Sequence, residues 1–253
     1  MSSRVRIIIN ADDFGASREV NNAISELMSQ GKITSASILA NSPEYKRAVE
    51  ITKLYPECSF GVHLNLTEHR PLTKDNAFRL ILNQEGNFNG NIRNVKISSA
   101  LRKAIFREWC AQIETVSLDG IEISHVDSHH HIHTIPKLFL ILKRIQKKYK
   151  IFKVRNTMNI YSNNTRPASY KLICLKKIWI IALKYYYPTK ITSGFTSLQV
   201  FLESLKYSSQ SHRNVELMVH PGHPGYAEET ALLHGSWMKQ LPFDVELINY
   251  KSL

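Results

Sequence analysis

Short apolar runs alternate along this chain with longer stretches whose apolar residues recur every three or four positions. Val5–Asn10 is a β-branched run of strand length. Ser17 then stands as an N-cap with Glu19 in the first turn, and Val20, Ala23, Ile24, Leu27 and Met28 keep helical spacing until Gly31. The pattern predicts a strand over Ser35–Ala40, a helix over Glu44–Leu54 and a strand over Ser59–Asn65. In that third strand Phe60, Val62 and Leu64 share one face, and Gly61, His63 and Asn65 share the other. A loop-like stretch from Thr67 to Val95 precedes a long helix marked by Leu101, Ile105, Trp109, Ile113 and Val116. Further strands are expected at Ile121–Val126, Ile151–Arg155, Val215–Val219 and Val245–Tyr250. Pro136 opens a helix carrying Leu138, Leu142 and Ile145.

Strand–helix alternation of this kind implies an α/β fold with a parallel sheet covered by helices. Six or seven strands can close into a barrel or remain an open sheet, and periodicity does not decide between them. No internal repeat or linker interrupts the pattern, so residues 1–253 read as a single domain.

In parallel α/β folds, sites gather at the C-terminal ends of strands. Four polar clusters stand at such positions. The first, Asn10-Ala11-Asp12-Asp13-Phe14-Gly15, pairs two carboxylates that repel each other unless a cation lies beside them. Taken alone it is equally an Asp-capped turn. The second places His63 opposite the apolar face of its strand, a weak signal by itself. The third packs His125, Asp127, Ser128, His129, His130, His131 and His133 into nine residues. If the strand continues, His125, Asp127 and His129 share a face. Crowded imidazoles disfavour one another's charged forms, which favours a metal role over a chance histidine tract. The fourth, His220-Pro221-Gly222-His223-Pro224-Gly225, holds a histidine in a rigid turn where it can serve as an acid, although a plain Pro-Gly turn would look the same. Together the clusters can supply a carboxylate and two imidazoles from separate strand ends, the mark of an open catalytic metal site.

Composition narrows the field. The 253 residues are 43% apolar, enough for one substantial core. The formal charge of +12 favours anionic partners, and its densest parts are Lys143–Lys153 and Lys171–Lys190. No nucleic-acid motif or stacking platform accompanies it, so a solvated basic helix face is the better reading. Cys58, Cys110 and Cys174 form no CxxC pair, which points away from a disulfide framework and towards a cytoplasmic protein. Leu172–Tyr187 is apolar but broken by Lys176, Lys177 and Lys184, short of the ~20 residues of a spanning helix. It fits a lid or a surface helix and leaves a peripheral membrane contact open.

The clusters resemble those of the YdjC-like carbohydrate deacetylases, which include the chitooligosaccharide deacetylases. Residues 10–15 are similar to that family's N-terminal signature, Gly61–Thr67 with Arg70-Pro71-Leu72 to its second block, and His125–His133 to its third. Arg155 and His220-Pro221 match later positions, and the resemblance runs from Val5 to about Leu253. It implies an irregular (β/α) barrel of about seven parallel strands that removes an N-acetyl group from an amino sugar. It places Asp13, His63 and His129 on one divalent metal ion, with Asp12 as base and His220 as acid. Asp127, His125, Arg155 and Asn65 fall around this set as supporting or substrate-binding residues. Magnesium is the metal the resemblance implies, whereas imidazole ligands suit zinc or another transition metal. A homodimer is compatible with the resemblance. Two rivals remain at this point. His125-x-Asp127 with a distant histidine has the form of a two-His, one-carboxylate oxygenase triad. A non-catalytic metal- or glycan-binding protein would carry the same residues.

Overall fold

The first strand, β1 (Val5–Phe14), is longer than its apolar run, because the polar residues Asn10, Asp12 and Asp13 continue it into the interior. The computed structural model describes residues 4–160, 169–205 and 213–253. Its strands are β1, β2 (Ser35–Ile38), β3 (Ser59–Leu64), β4 (Ile123–Ser128), β5 (Gly194–Ser197), β6 (Asn214–Val219) and β7 (Val245–Leu247). All pairings between them are parallel, in the order β4-β3-β2-β1-β6-β5, with β7 beside the start of β1. The helices are α1 (Arg18–Ser29), α2 (Tyr45–Thr52), α3 (Ser99–Leu118), α4 (Phe139–Tyr149), α5 (Tyr170–Tyr186), α6 (Leu198–Leu205) and α7 (Ala227–His234).

As a ladder the sheet is not closed. The expected strand Ile151–Arg155 makes only single bridges, Val154 to Val126 of β4 and Lys153 to Lys190, and Asn159 bridges to Phe195 of β5. This extended segment lies between the two edge strands, so the barrel is irregular at that point. Neither β5 nor α6 was expected from the pattern, because Gly-Phe-Thr-Ser carries no alternation that distinguishes a strand.

The two faces of the sheet divide the labour. Ile7, Ile9 and Ala11 of β1 turn outward into the main core with Val20, Ile24 and Leu27 of α1 and Trp109, Ile113 and Val116 of α3. Ser17 caps α1, accepting a hydrogen bond from the Val20 amide, and Ser98 caps α3. Ile8, Asn10 and Asp12 turn inward instead, where Ile8 meets Ile248 and Tyr250 and the surroundings are otherwise polar. Register continues the division, because Ile8 lies opposite Glu216 and Asn10 opposite Met218 of β6, while His63 lies opposite Asp127 of β4. Gly61 keeps the predicted inward face with His63. A Cβ there would stand 2.4 Å from the His125 ring, so only glycine admits that imidazole.

Lys143, counted in the sequence among solvated basic residues, is buried. Its ammonium donates to the Leu183 and Tyr187 carbonyls and to Thr189 Oγ1, tying down the C-terminal end of α5. Burial lowers its pKa to about 8. Elsewhere α5 is loosely attached, and Leu183 is its one fully buried side chain. Among the described residues no helix is long and apolar enough to cross a membrane.

Candidate metal centre

A break in β1 aims the paired carboxylates. Its register with β2 shifts between Ala11 and Phe14, and Asp13 adopts a left-handed φ of 61°. This bulge leaves Asp12 on the inward face and swings Asp13 to the strand's end. Gly15 follows with φ 103°, where a Cβ would meet Ser42 Oγ at 2.7 Å.

Asp13, His63 and His129 come together and are all buried, with one ligand atom from each lying within 4.8 Å of the others. Asp13 Oδ1 stands 2.8 Å from His129 Nδ1 and 3.3 Å from His63 Nε2, yet it has no aligned hydrogen bond. Two imidazole nitrogens crowding one carboxylate oxygen without sharing a well-directed proton is the arrangement a cation completes. The donor set fits a divalent ion with positions left open. A second trio, Asp12, His63 and Asp127, is within the same reach. It does not fit, because a guanidinium already occupies both of its carboxylates.

That guanidinium belongs to Arg155, which is fully buried. It grips Asp12 through two nitrogens at 2.7 and 2.6 Å, reaches Asp127 Oδ2 at 2.7 Å and donates through Nε to Glu216 Oε1 at 2.8 Å. Burial opposes ionisation of Asp12, but the Arg155 and His63 charges overcome it and hold the carboxyl below its usual range. Asp127 is depressed in the same way. Burial pushes Glu216 up to about 7 despite Arg155, and Tyr250 donates to its other oxygen.

His63 donates from Nδ1 to Asp127 Oδ1 at 2.7 Å, which directs Nε2 towards Asp13. Burial would keep His63 neutral, but Asp127 and Asp12 outweigh it and raise the pKa to about 10. His129 is raised to about 9 against burial by Asp13 and by Glu68, whose Oε2 lies 3.3 Å from Nε2. Asp13 is held well below its usual range by these two histidines, against its own burial.

The remaining expected residues separate into two groups. Asp127 and Arg155 support the centre as described. His220 follows β6, whose Val219 pairs with Ala11, so it stands level with Asp12. Its ring stacks on Tyr226 at 4.3 Å, and its Nδ1 is buried without a hydrogen bond, 3.7 Å from Glu229 Oε1. Desolvation lowers its pKa, but Glu229, Asp12 and Asp13 outweigh that and raise it. His125 does not join the centre. It stacks on Tyr250 at 3.7 Å, pairs with Ser37 and Ser124, and burial drives its pKa to about 3. The expectation that His125, Asp127 and His129 share a strand face fails because β4 ends at Ser128 and His129 begins a 3-10 turn. The oxygenase triad built on His125 and Asp127 is therefore not assembled. Asn65 is not free for substrate, since its side chain ties Asn41, Thr67 and Glu68 into one loop.

Sequence reasoning missed Glu68, Ser37, Glu216 and Glu229. Glu68 alone carried a signal, an acidic residue directly after the Gly61–Thr67 block.

The whole-chain comparison decides the family, because residues 6–245 match the model of the YdjC-like proteins. This chain belongs to the YdjC-like family. A protein named carbohydrate deacetylase from Halalkalibacterium halodurans is 30% identical over 241 residues, covering 93% of this chain and 91% of that one. Another of the same name from Geobacillus stearothermophilus is 38% identical over 144 residues, 57% of each chain. Among solved structures, an Enterococcus faecalis V583 protein with a provisional cellobiose-phosphate cleavage assignment superposes with a TM-score of 0.75. It is 23% identical and covers 99% of both chains, a likeness of fold.

Proposed function

We propose that this YdjC-like protein is a metal-dependent hydrolase that removes the N-acetyl group from an amino sugar. The observation that carries the reading is the meeting of Asp13, His63 and His129 at one point, with Asp12 and His220 beside them at neighbouring strand ends. Relatives named carbohydrate deacetylase supply the substrate class.

Asp13, His63 and His129 would hold one divalent ion, and Asp127 fixes the orientation of the His63 ring. A bound ion there supplies polarisation of an amide carbonyl and a lowered pKa for water. Two imidazoles and one carboxylate suit zinc or another transition metal, and the family resemblance suits magnesium. Asp12 Oδ2 lies 3.9 Å from His63 Nε2, beside the centre, and takes the proton of the attacking water. Arg155 positions Asp12 and keeps it ionised. His220, held towards its protonated form, donates to the departing amine. The three cysteines are free, which suits a reducing compartment such as the cytoplasm.

The test is acetate release, without oxygen, from a panel of N-acetylated amino sugars by protein of measured metal content. Asp12→Asn should retain metal and lose about a hundredfold or more in turnover. Full activity in that variant removes Asp12 from the base role. Bound metal with no turnover on any acetylated sugar would favour a glycan-binding protein instead.

A further inference from the structure

The turn after β4 brings a second set of donors to the outer side of His129. β4 ends at Ser128, and His130 and His131 then take left-handed φ values of 51° and 53°. This reversal lays the His130 ring beside the His129 ring, with centroids 4.0 Å apart. His130 Nδ1 pairs with Thr67 Oγ1 at 3.0 Å, which leaves its Nε2 facing Glu68 Oε1 at 3.9 Å. Glu68 is itself held from behind. The side chains of Asn41 and Asn65 donate to its carbonyl, and Asn65 Oδ1 accepts from its amide. Its carboxylate is thereby presented to both rings, with Oε2 3.3 Å from His129 Nε2.

His129 faces two ways, with Nδ1 on Asp13 and Nε2 on Glu68. The residue is only 8% exposed, and its Nε2 is buried without a directed hydrogen bond. A plain ion pair with Glu68 would align a proton between the two, and none is aligned. The donors stand instead as the ligands of a cation stand. One ligand atom from each of Glu68, His129 and His130 lies within 4.8 Å of the others. Two ligands of a tetrahedral zinc ion are about 3.3 Å apart, which is the separation of Glu68 Oε2 and His129 Nε2. A modest rotation of Glu68 closes the longer gap to His130. The Glu68 side chain is 48% exposed and that of His130 54%, so an ion reaches the buried nitrogen from solvent through groups that can move.

We propose that Glu68, His129 and His130 form a second divalent-metal site, which shares the His129 imidazole with the Asp13–His63–His129 centre. Two imidazoles and a carboxylate select zinc or another transition metal over magnesium or calcium, which take oxygen ligands. With Nδ1 on one ion and Nε2 on the other, His129 gives up both ring protons to solvent and bridges the pair as an imidazolate. With bonds of about 2.0 Å, ions on opposite nitrogens of one ring stand about 6 Å apart. That exceeds the roughly 3.5–4 Å of a two-metal hydrolytic clamp, so the two ions share no water. The outer ion acts on the inner one through the ring, drawing electron density out of the imidazole that both hold. This inference rests on the metal centre of the reading above, not on the deacetylation, and adds a site to it.

The test titrates metal-stripped protein with zinc chloride and counts bound zinc after equilibrium dialysis. The wild-type chain should take up two ions, the second about tenfold or more weaker because it enters beside a dication. Glu68→Gln combined with His130→Asn should take up one, and asparagine tolerates the left-handed backbone at 130. Copper(II) reports on the shared ring, because two copper ions bridged by one imidazolate couple antiferromagnetically. The paramagnetic resonance signal of the two-copper protein should therefore fall below that of the one-copper protein on cooling. Anomalous scattering at the zinc edge needs no variant, and two peaks about 6 Å apart across His129 would support the site. A single ion at saturating zinc, held at the Asp13 centre, overturns the proposal and leaves that centre standing. Two ions in the folded double variant, or copper signals that simply add, also overturn it. No bound ion at all sinks the centre and the outer site together. Two bound ions with no acetate release from any acetylated sugar sink the hydrolase reading and keep the outer site.

Discussion

From Val5 to Ser128 each strand is joined to a neighbour by a ladder of several residues, whereas the described residues between Ile151 and Lys190 meet the sheet only through single bridges. The difference follows from what each region holds. The first region positions charges. Asp12, Asp13, His63 and Asp127 are buried among one another, where an error of an ångström leaves an ion unpaired and the cost is several kcal/mol. The second region offers an apolar surface, which is non-directional and tolerates a loose frame. Arg155 is the exception, because it sits in the irregular segment and neutralises the regular one.

Replacing that residue is therefore the severest way to test the division. Arg155→Met keeps the length of the side chain and leaves Asp12, Asp127 and Glu216 without their common partner. Breaking a buried ion pair costs about 3–5 kcal/mol, and three carboxylates share this cation. Denaturant unfolding should show a loss at the upper end of that range. A loss below about 1 kcal/mol would mean that the two regions are not joined by this network.

The charged, regular region can be tested by pH. In the metal-free protein Asp127 and Asp12 push His63 up to about 10, and Asp13 and Glu68 push His129 up to about 9, which favours an extra proton on both at neutrality. Ligation requires neutral imidazoles, so uptake of one ion between about pH 7 and 9 should release about two protons and tighten about a hundredfold per pH unit. Calorimetry in buffers of different ionisation enthalpy counts the protons. Both folded pKa values lie above the ordinary 6.5. Their contribution to metal-free stability is therefore complete below about pH 6.5 and is lost as pH rises through about 9 to 10. A proton count near zero would contradict the assignment of the two histidines as ligands.

Gly61 examines the regular region alone. A methyl group there would meet the His125 ring, itself pressed against Tyr250, with no room to withdraw. Gly61→Ala should cost about 1–3 kcal/mol by overpacking, read as a lowered melting temperature. Gly61→Ala combined with His125→Ala should recover most of that loss. A failure to recover would show that the glycine is needed for some other reason.

How much of this was legible in the sequence follows the same line. The inward face of Gly61, His63 and Asn65 was readable because strand period alone sets it. The caps and apolar stripes of α1 and α3 were readable for similar local reasons. Asp13 stood out in the sequence as a candidate ligand, but the bulge that aims it is a register shift against β2, and hydrophobic patterning carries no trace of that. The same limit misplaced His125 and His129 on one face, since the end of β4 at Ser128 depends on its neighbours. Lys143 looked like solvated charge because the carbonyls that receive it lie some forty residues further along the chain. Arg155 could be tied to the site by resemblance, but its three carboxylate partners converge only in the fold.

The smallest effect tests whether α5 is as detached as it looks. Ile181 of that helix is 56% exposed, with Tyr185 near it at 84%. Substitution at such a position removes little buried surface, so Ile181→Asn should change stability by no more than about 0.5 kcal/mol. Unfolding curves at two protein concentrations make the measurement sharper. A loss well above that figure that grows as the protein is concentrated would mean that a second copy buries this face. The loose attachment would then belong to the isolated chain, and the contrast between the two regions would weaken in the assembly. A small, concentration-independent change would leave α5 as a helix held at one end by Lys143 and otherwise loosely packed.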